Sequence, residues 1–186
     1  LVAIHRALER HRHLLADEIT DTNRKRILDA LGRAGGAYRR RLYQRGLSGR
    51  TRPVRAAEIV AFLDVALAWL DHSIRANRRP DGLFHAYNLV SFERPGALPI
   101  RRLYLMLEGQ VAALNSGCLT AQESLRLLRS LRRSPLYRPD QHSYLLYPDR
   151  RLPRFVEKNN IPPRAVARSA LLRRLVADGN RALIER

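Results

Sequence analysis

The sequence holds one cysteine, Cys118, so it can form no internal disulfide, and it lacks the thiol partners of a common zinc site. A reducing compartment, the cytoplasm, is the expected location. No apolar run reaches the length a membrane span needs, and the first residues show no signal-peptide pattern, so a soluble protein is expected. Lysine is nearly missing as well: Lys25 and Lys158 are the only two, and every other basic side chain is an arginine. Aromatic residues make up only 6% of the 186 positions, and they gather in a few places. No HExxH pattern, Cys/His cluster, RNP, KH or zinc-finger signature is present. His11 and His13 are two apart, so on a helix they do not share a face with each other, which argues against a metal site. Neither a metal nor a cofactor is expected.

What is present is arginine, alanine and leucine. Lysine and arginine number 35 against 17 acids, a net charge of +18, while 45% hydrophobic and 28% charged residues are ordinary for a globular chain. A surface this basic attracts polyanions, which makes a nucleic-acid-binding helical module one reading of the function. Its candidate patches are "HRALERHRH", "NRKR", "AYRRRLYQR" and "RSLRRS". They are spread along the chain rather than gathered into one recognition element, and coding bias enriches the same residue types. A scaffold or interaction domain is a further alternative.

Helical periodicity dominates, and the fold class expected is all-α: antiparallel helices with two irregular, aromatic-rich inserts. Residues 3–19 place Ile4, Leu8, Leu15 and Ile19 near one stripe. Thr22 is the expected cap of a second helix, with Gly35-Gly36 as an interruption. Residues 47–53 carry turn chemistry and mark a layer boundary. "VRAAEIVAFLDVALAWLDHSIRA" is apolar almost all round and reads as the central buried helix, ended by "NRRPDG". A helix is expected over "IRRLYLMLEGQVAALNS", stopped at Gly117. Another opens at Thr120 and Glu123, in capping-box spacing, and runs to about Arg133. The last stretch, from Arg164, gives one or two helices broken near Gly179. Ile59, Phe62, Leu63, Leu67, Leu70, Leu103, Leu107 and Val111 are the expected core. Leu1 already reads as helical and "NRALIER" stops inside a helix, so the chain reads as a segment of a longer protein.

The candidate chemistry lies in the inserts. The first, "PDGLFHAYNLVSF", alternates like a short strand and offers His85, Tyr87 and Asn88. The second, residues 136–155, offers Tyr137, Asp140, His142, Tyr144, Tyr147, Asp149 and Arg150. Tyrosine joins an apolar face to a hydroxyl, which suits stacking on sugars or bases, and loops carried on helices are common binding surfaces. These residues are expected to share one accessible groove, with either Tyr144 or Tyr147 anchored in the core and the other free. Glu108, among Leu105, Met106, Leu107 and Val111, is the candidate acid, because an apolar setting raises a carboxyl pKa. Turn-forming residues with tyrosines as structural anchors give the plainer explanation of the same loops.

The stretches "YRPDQHSYLLYPDRRLPRFVEKNNIP", "DGLFHAYNL" and "LEGQVAALNSG" resemble part of a family of very large bacterial proteins. That family is similar to helical-barrel carbohydrate-active enzymes, such as disaccharide and glucan phosphorylases. The resemblance covers roughly residues 77–186 and includes no catalytic motif, so it assigns no residue a role. It implies a helix-rich segment, possible membership of an α/α barrel, a carbohydrate or phosphorylated sugar as partner, and no complete active site within these residues.

Overall fold

The computed structural model describes residues 1–51 and 53–183. The chain divides into two compact units, Leu1–Pro148 and Asp149–Arg186. Helix covers 55% of the described residues, in eight α-helices and a 3-10 turn, joined by two small antiparallel sheets. The fold is therefore mostly helical and not purely all-α. Among the described residues, three of the four strands lie in the inserts and the fourth in a stretch expected to be helical.

In the first unit, α1 (Val2–Arg10) runs into a 3-10 turn over Arg12–Ala16, and α2 spans Asp21–Arg45. The cap of α2 is Thr20, whose hydroxyl accepts from the Asn23 N–H at 3.2 Å, so the helix starts before the expected Thr22. Gly35 and Gly36 do not interrupt it. Gly46, at φ 64°, ends it. Helix α3 (Ala56–Ala76) closes at Asn77, as its sequence implies.

These helices share one apolar cluster of Leu8, Ile27, Val65 and Trp69, with Ile4, Leu31, Phe62 and Ala66 packed on it. The indole N–H of Trp69 donates to the Leu8 carbonyl at 3.2 Å. The expectation that α3 is buried all round is overturned. Ile59, Leu63, Leu67 and Leu70 stay about half exposed, because the neighbouring helices cover only the Val65–Trp69 face. Val111 is also exposed, and Leu103 is only half-buried. Of the expected core, Phe62 and Leu107 do pack against a cluster.

The second cluster is built from loops and short elements. Strand β1 (Asn88–Val90) pairs with β2 (Ile100–Arg102), Asn88 opposite Arg102 and Val90 opposite Ile100. The expected helix from Ile100 is therefore shorter: α4 is Leu107–Asn115, and residues 103–106 are extended. Pairing with β1 overrides the local helical preference there. Gly117, at φ 76°, stops the chain just past α4. Helix α5 (Ala121–Arg133) carries the expected capping box between Thr120 and Glu123.

A hairpin of β3 (Tyr137–Arg138) and β4 (Ser143–Tyr144) comes next. Leu83, Phe84, Leu105, Ala113, Leu127, Leu131 and Leu136 form the cluster. Gln110, fully buried, staples it. Its Oε1 accepts from the Phe84 N–H and its Nε2 donates to the carbonyls of Phe84 and Met106, each at 2.8 Å. Position 109 has to be glycine-sized, since a Cβ would come within 3.0 Å of the Ala86 nitrogen.

The second unit holds α6 (Phe155–Lys158), α7 (Pro163–Arg168) and α8 (Ala170–Ala177). Pro163 occupies the first turn of α7, where its missing N–H costs nothing, and the Ser169 hydroxyl caps α8 by accepting from the Leu172 N–H. The helical region breaks at Ser169 as well as near Gly179, and the end of the expected last helix, 184–186, lies outside the described residues. None of the unit's described residues is fully buried, and Leu152, Phe155 and Leu171 are exposed.

Candidate functional site

Segment 103–108, extended over 103–106 and then entering α4, is where the two inserts meet. On one side the Leu103 N–H donates to the Tyr87 carbonyl at 3.0 Å, and the His85 Nδ1 lies 3.3 Å from the Leu103 carbonyl. On the other, the Leu107 N–H donates to the Leu146 carbonyl at 2.7 Å, and the rings of Tyr104 and Tyr147 meet edge to face at 6.2 Å. Tyr87 donates its hydroxyl to the Glu108 carboxylate in the first turn of α4. That hydrogen bond holds the Tyr87 phenol above its ordinary pKa, because ionising it would set two anions side by side. Desolvation keeps the His85 imidazole below its ordinary value. Glu108 itself is exposed rather than enclosed by its apolar neighbours.

The hairpin carries a second group. Tyr137 and Tyr144 are cross-strand partners with ring centroids 5.2 Å apart, and the Arg132 guanidinium lies 4.0 Å from the Tyr137 centroid. Such a stack orders the rings through cation–π and aromatic contact. His142 adopts φ 49°, the left-handed conformation that closes the loop, and its Nδ1 is 3.3 Å from the Tyr137 hydroxyl. Asp140 accepts twice from Arg138, at 2.9 and 2.8 Å, and that pairing holds its carboxyl below the usual range.

The structure thus joins His85, Tyr87 and Glu108 to Tyr147 through one backbone segment, and it joins His142 to Tyr144 through Tyr137. Asn88 is an exposed β1 residue opposite Arg102. Asp149 and Arg150 are exposed residues of the second unit. The expected division of labour between Tyr144 and Tyr147 is not what forms. Tyr144 is 37% exposed and Tyr147 is 51% exposed, each leaning on another tyrosine instead of on the core.

Sequence reasoning missed Tyr104 and Arg132 as members of these groups. The period-2 run Leu103-Leu105-Leu107 is the signal that would have placed Tyr104 on the outer side of an extended segment. The Tyr137–Tyr144 spacing around a Pro-Asp turn would have revealed the hairpin. Among the described residues, no three His, Cys, Asp or Glu side chains converge in a way that could hold a metal ion, and no helix is long and apolar enough to cross a membrane.

Aromatic rings half open to solvent, with carboxylate and imidazole beside them, can stack on an apolar sugar face and hydrogen-bond its hydroxyls. Residues 152–186, inside the second unit, match the family model described as GH149 phosphorylase insertion domain 2. This stretch is similar to an accessory segment of a carbohydrate-processing phosphorylase, and the similarity is to an insertion domain, not to a catalytic barrel. No curated protein matches the chain.

Proposed function

We propose that this chain is a helical accessory segment of a carbohydrate-processing protein, without a complete active site of its own, and that its aromatic inserts contact sugar. The match of residues 152–186 to a phosphorylase insertion domain carries the reading. Two features support it: the half-exposed tyrosine pairs, and the way segment 103–108 bonds to both inserts. We assign the contact with a neutral sugar or a sugar phosphate to His85, Tyr87, Asn88, Glu108, Asp140, His142, Tyr144 and Tyr147 of the first unit. The nucleic-acid reading gains nothing comparable. The arginines remain distributed, and several are held in local ion pairs, such as Arg24 with Asp21 and Arg138 with Asp140.

Titration of the full chain with gluco-oligosaccharides and with a sugar phosphate, followed by calorimetry, tests this. Binding is expected, and Tyr147→Ala combined with Tyr144→Ala should weaken it about tenfold, the equivalent of one good stacking contact per site. Absence of binding to every sugar overturns the contact role. Turnover by the isolated chain overturns the claim that its active site is incomplete.

A further inference from the structure

Helix α3 leaves a second apolar face open. Ile59, Val60, Leu63, Leu67 and Leu70 are each 48–58% exposed, while Phe62, Val65, Ala66 and Trp69 serve the core. At helical spacing the five exposed residues fall in one stripe about 100° wide, about 16 Å from end to end. Asp64 and Asp71, seven residues apart, run along a single edge of that stripe. Neither makes an ion pair or a side-chain hydrogen bond among the described residues. Several other carboxylates on or at the ends of helices find local cations: Glu9 with Arg12, Asp21 with Arg24, Asp29 with Lys25, Glu58 with Arg55 and Asp178 with Arg174. With 35 basic residues against 17 acids, two unpaired carboxylates beside an open leucine stripe mark an edge that lacks its cation.

We propose that the outer face of α3 is a docking surface for a basic amphipathic helix of another polypeptide. Its leucine-type residues fill the stripe, and arginine or lysine along one side meets Asp64 and Asp71. Charge excludes the simplest alternative, a second copy packed antiparallel through its own α3. A two-fold axis between such helices places both acidic edges on the same side, so like charges would adjoin. A partner helix of three turns is long enough to cover the stripe.

A synthetic peptide of residues 121–133, AQESLRLLRSLRR, is a suitable probe. Its leucines and four arginines have the stated chemistry, and about 20 Å of helix spans the stripe. The full chain carries +18, so a cationic peptide can be held only where the surface is locally acidic and apolar. Fluorescence anisotropy is expected to show binding that weakens at least about tenfold in a Leu63→Ser, Leu67→Ser double variant. In Asp64→Asn, Asp71→Asn it should weaken several-fold and lose most of its salt dependence. The same peptide with glutamate at all four arginine positions should bind at least about tenfold more weakly. These substitutions lie on the outer face, so thermal melting should be unchanged. The proposal is overturned if the basic peptide does not bind, or if it binds every variant equally. It is also overturned if sedimentation shows self-association through α3 that the Asp→Asn changes strengthen.

Discussion

The two apolar clusters of the first unit reverse what their sequences advertise. Helix α3 has the most continuous hydrophobic sequence in the chain, yet only Val65 and Trp69 on it are buried. The second cluster draws on short, broken segments, and there Leu83, Leu127, Leu136 and Gln110 are fully enclosed. The difference lies in how many directions the neighbours come from. Around Leu8 and Trp69 three helices meet along single faces, so each helix keeps an outer side. Around Leu136 the chain arrives as loop, strand, helix and hairpin, and Gln110 satisfies the backbone groups that such irregular chain leaves unpaired. Enclosure here follows from topology, and hydrophobicity alone does not produce it.

The largest expected effect compares the same substitution in the two settings. Leu136→Ala should cost about 2–5 kcal/mol, because it opens a cavity in a fully enclosed site. Leu67→Ala, on the richer helix, should stay within about 0.5 kcal/mol. Urea denaturation of both variants measures this contrast, and equal costs would break the comparison.

The next contrast concerns the polar staples. Gln110→Leu strands the Phe84 N–H and two carbonyls in the interior and should cost about 2–3 kcal/mol. Trp69→Phe removes one hydrogen bond, to the Leu8 carbonyl, and should cost about 1 kcal/mol. Thermal melting distinguishes the two.

The smallest effect is a pH dependence. In His85, beside the second cluster, and His11, at the end of α1, desolvation holds the imidazole pKa below its ordinary value of about 6.5. The unfolded chain then takes up protons first as pH falls through 6.5. Stability should decline from there until the native pKa is reached, and it should be fully present above 6.5. His85→Gln should remove part of that decline and leave the share due to His11. A denaturation midpoint in His85→Gln that falls between pH 7.5 and 5.5 as steeply as in the parent chain would remove His85 from the account.

Several local features were legible in the sequence because they depend only on near neighbours. The capping box at Thr120 and Glu123, the stop at Gly117 and the end of α3 at Asn77 all formed as the residues imply. The strand in "HAYNLV" formed as well, over Asn88–Val90. Its partner was missed, since "IRRLYLML" satisfies a helical pattern until β1 is there to pair with it. The residues of the candidate site were visible as types, because aromatic and acidic side chains stand out in an Ala-Leu-Arg background. Their grouping was not. Tyr147 finds Tyr104 only after residues 103–106 have been drawn out straight, and Tyr144 finds Tyr137 only across a hairpin closed by the positive φ of His142.

By itself the sequence determined the basic charge, the helical majority, the caps and stops, and the concentration of aromatic chemistry in two inserts. Each of these is a property of composition or of residues within a turn of one another. Tertiary structure alone decided which apolar residues are enclosed, that Gln110 is the most buried polar group among the described residues, and that Asp64 and Asp71 edge an open stripe while Glu58 on the same helix is paired with Arg55. Burial and pairing depend on what arrives from distant parts of the chain, and a periodic pattern records a face without recording its neighbour.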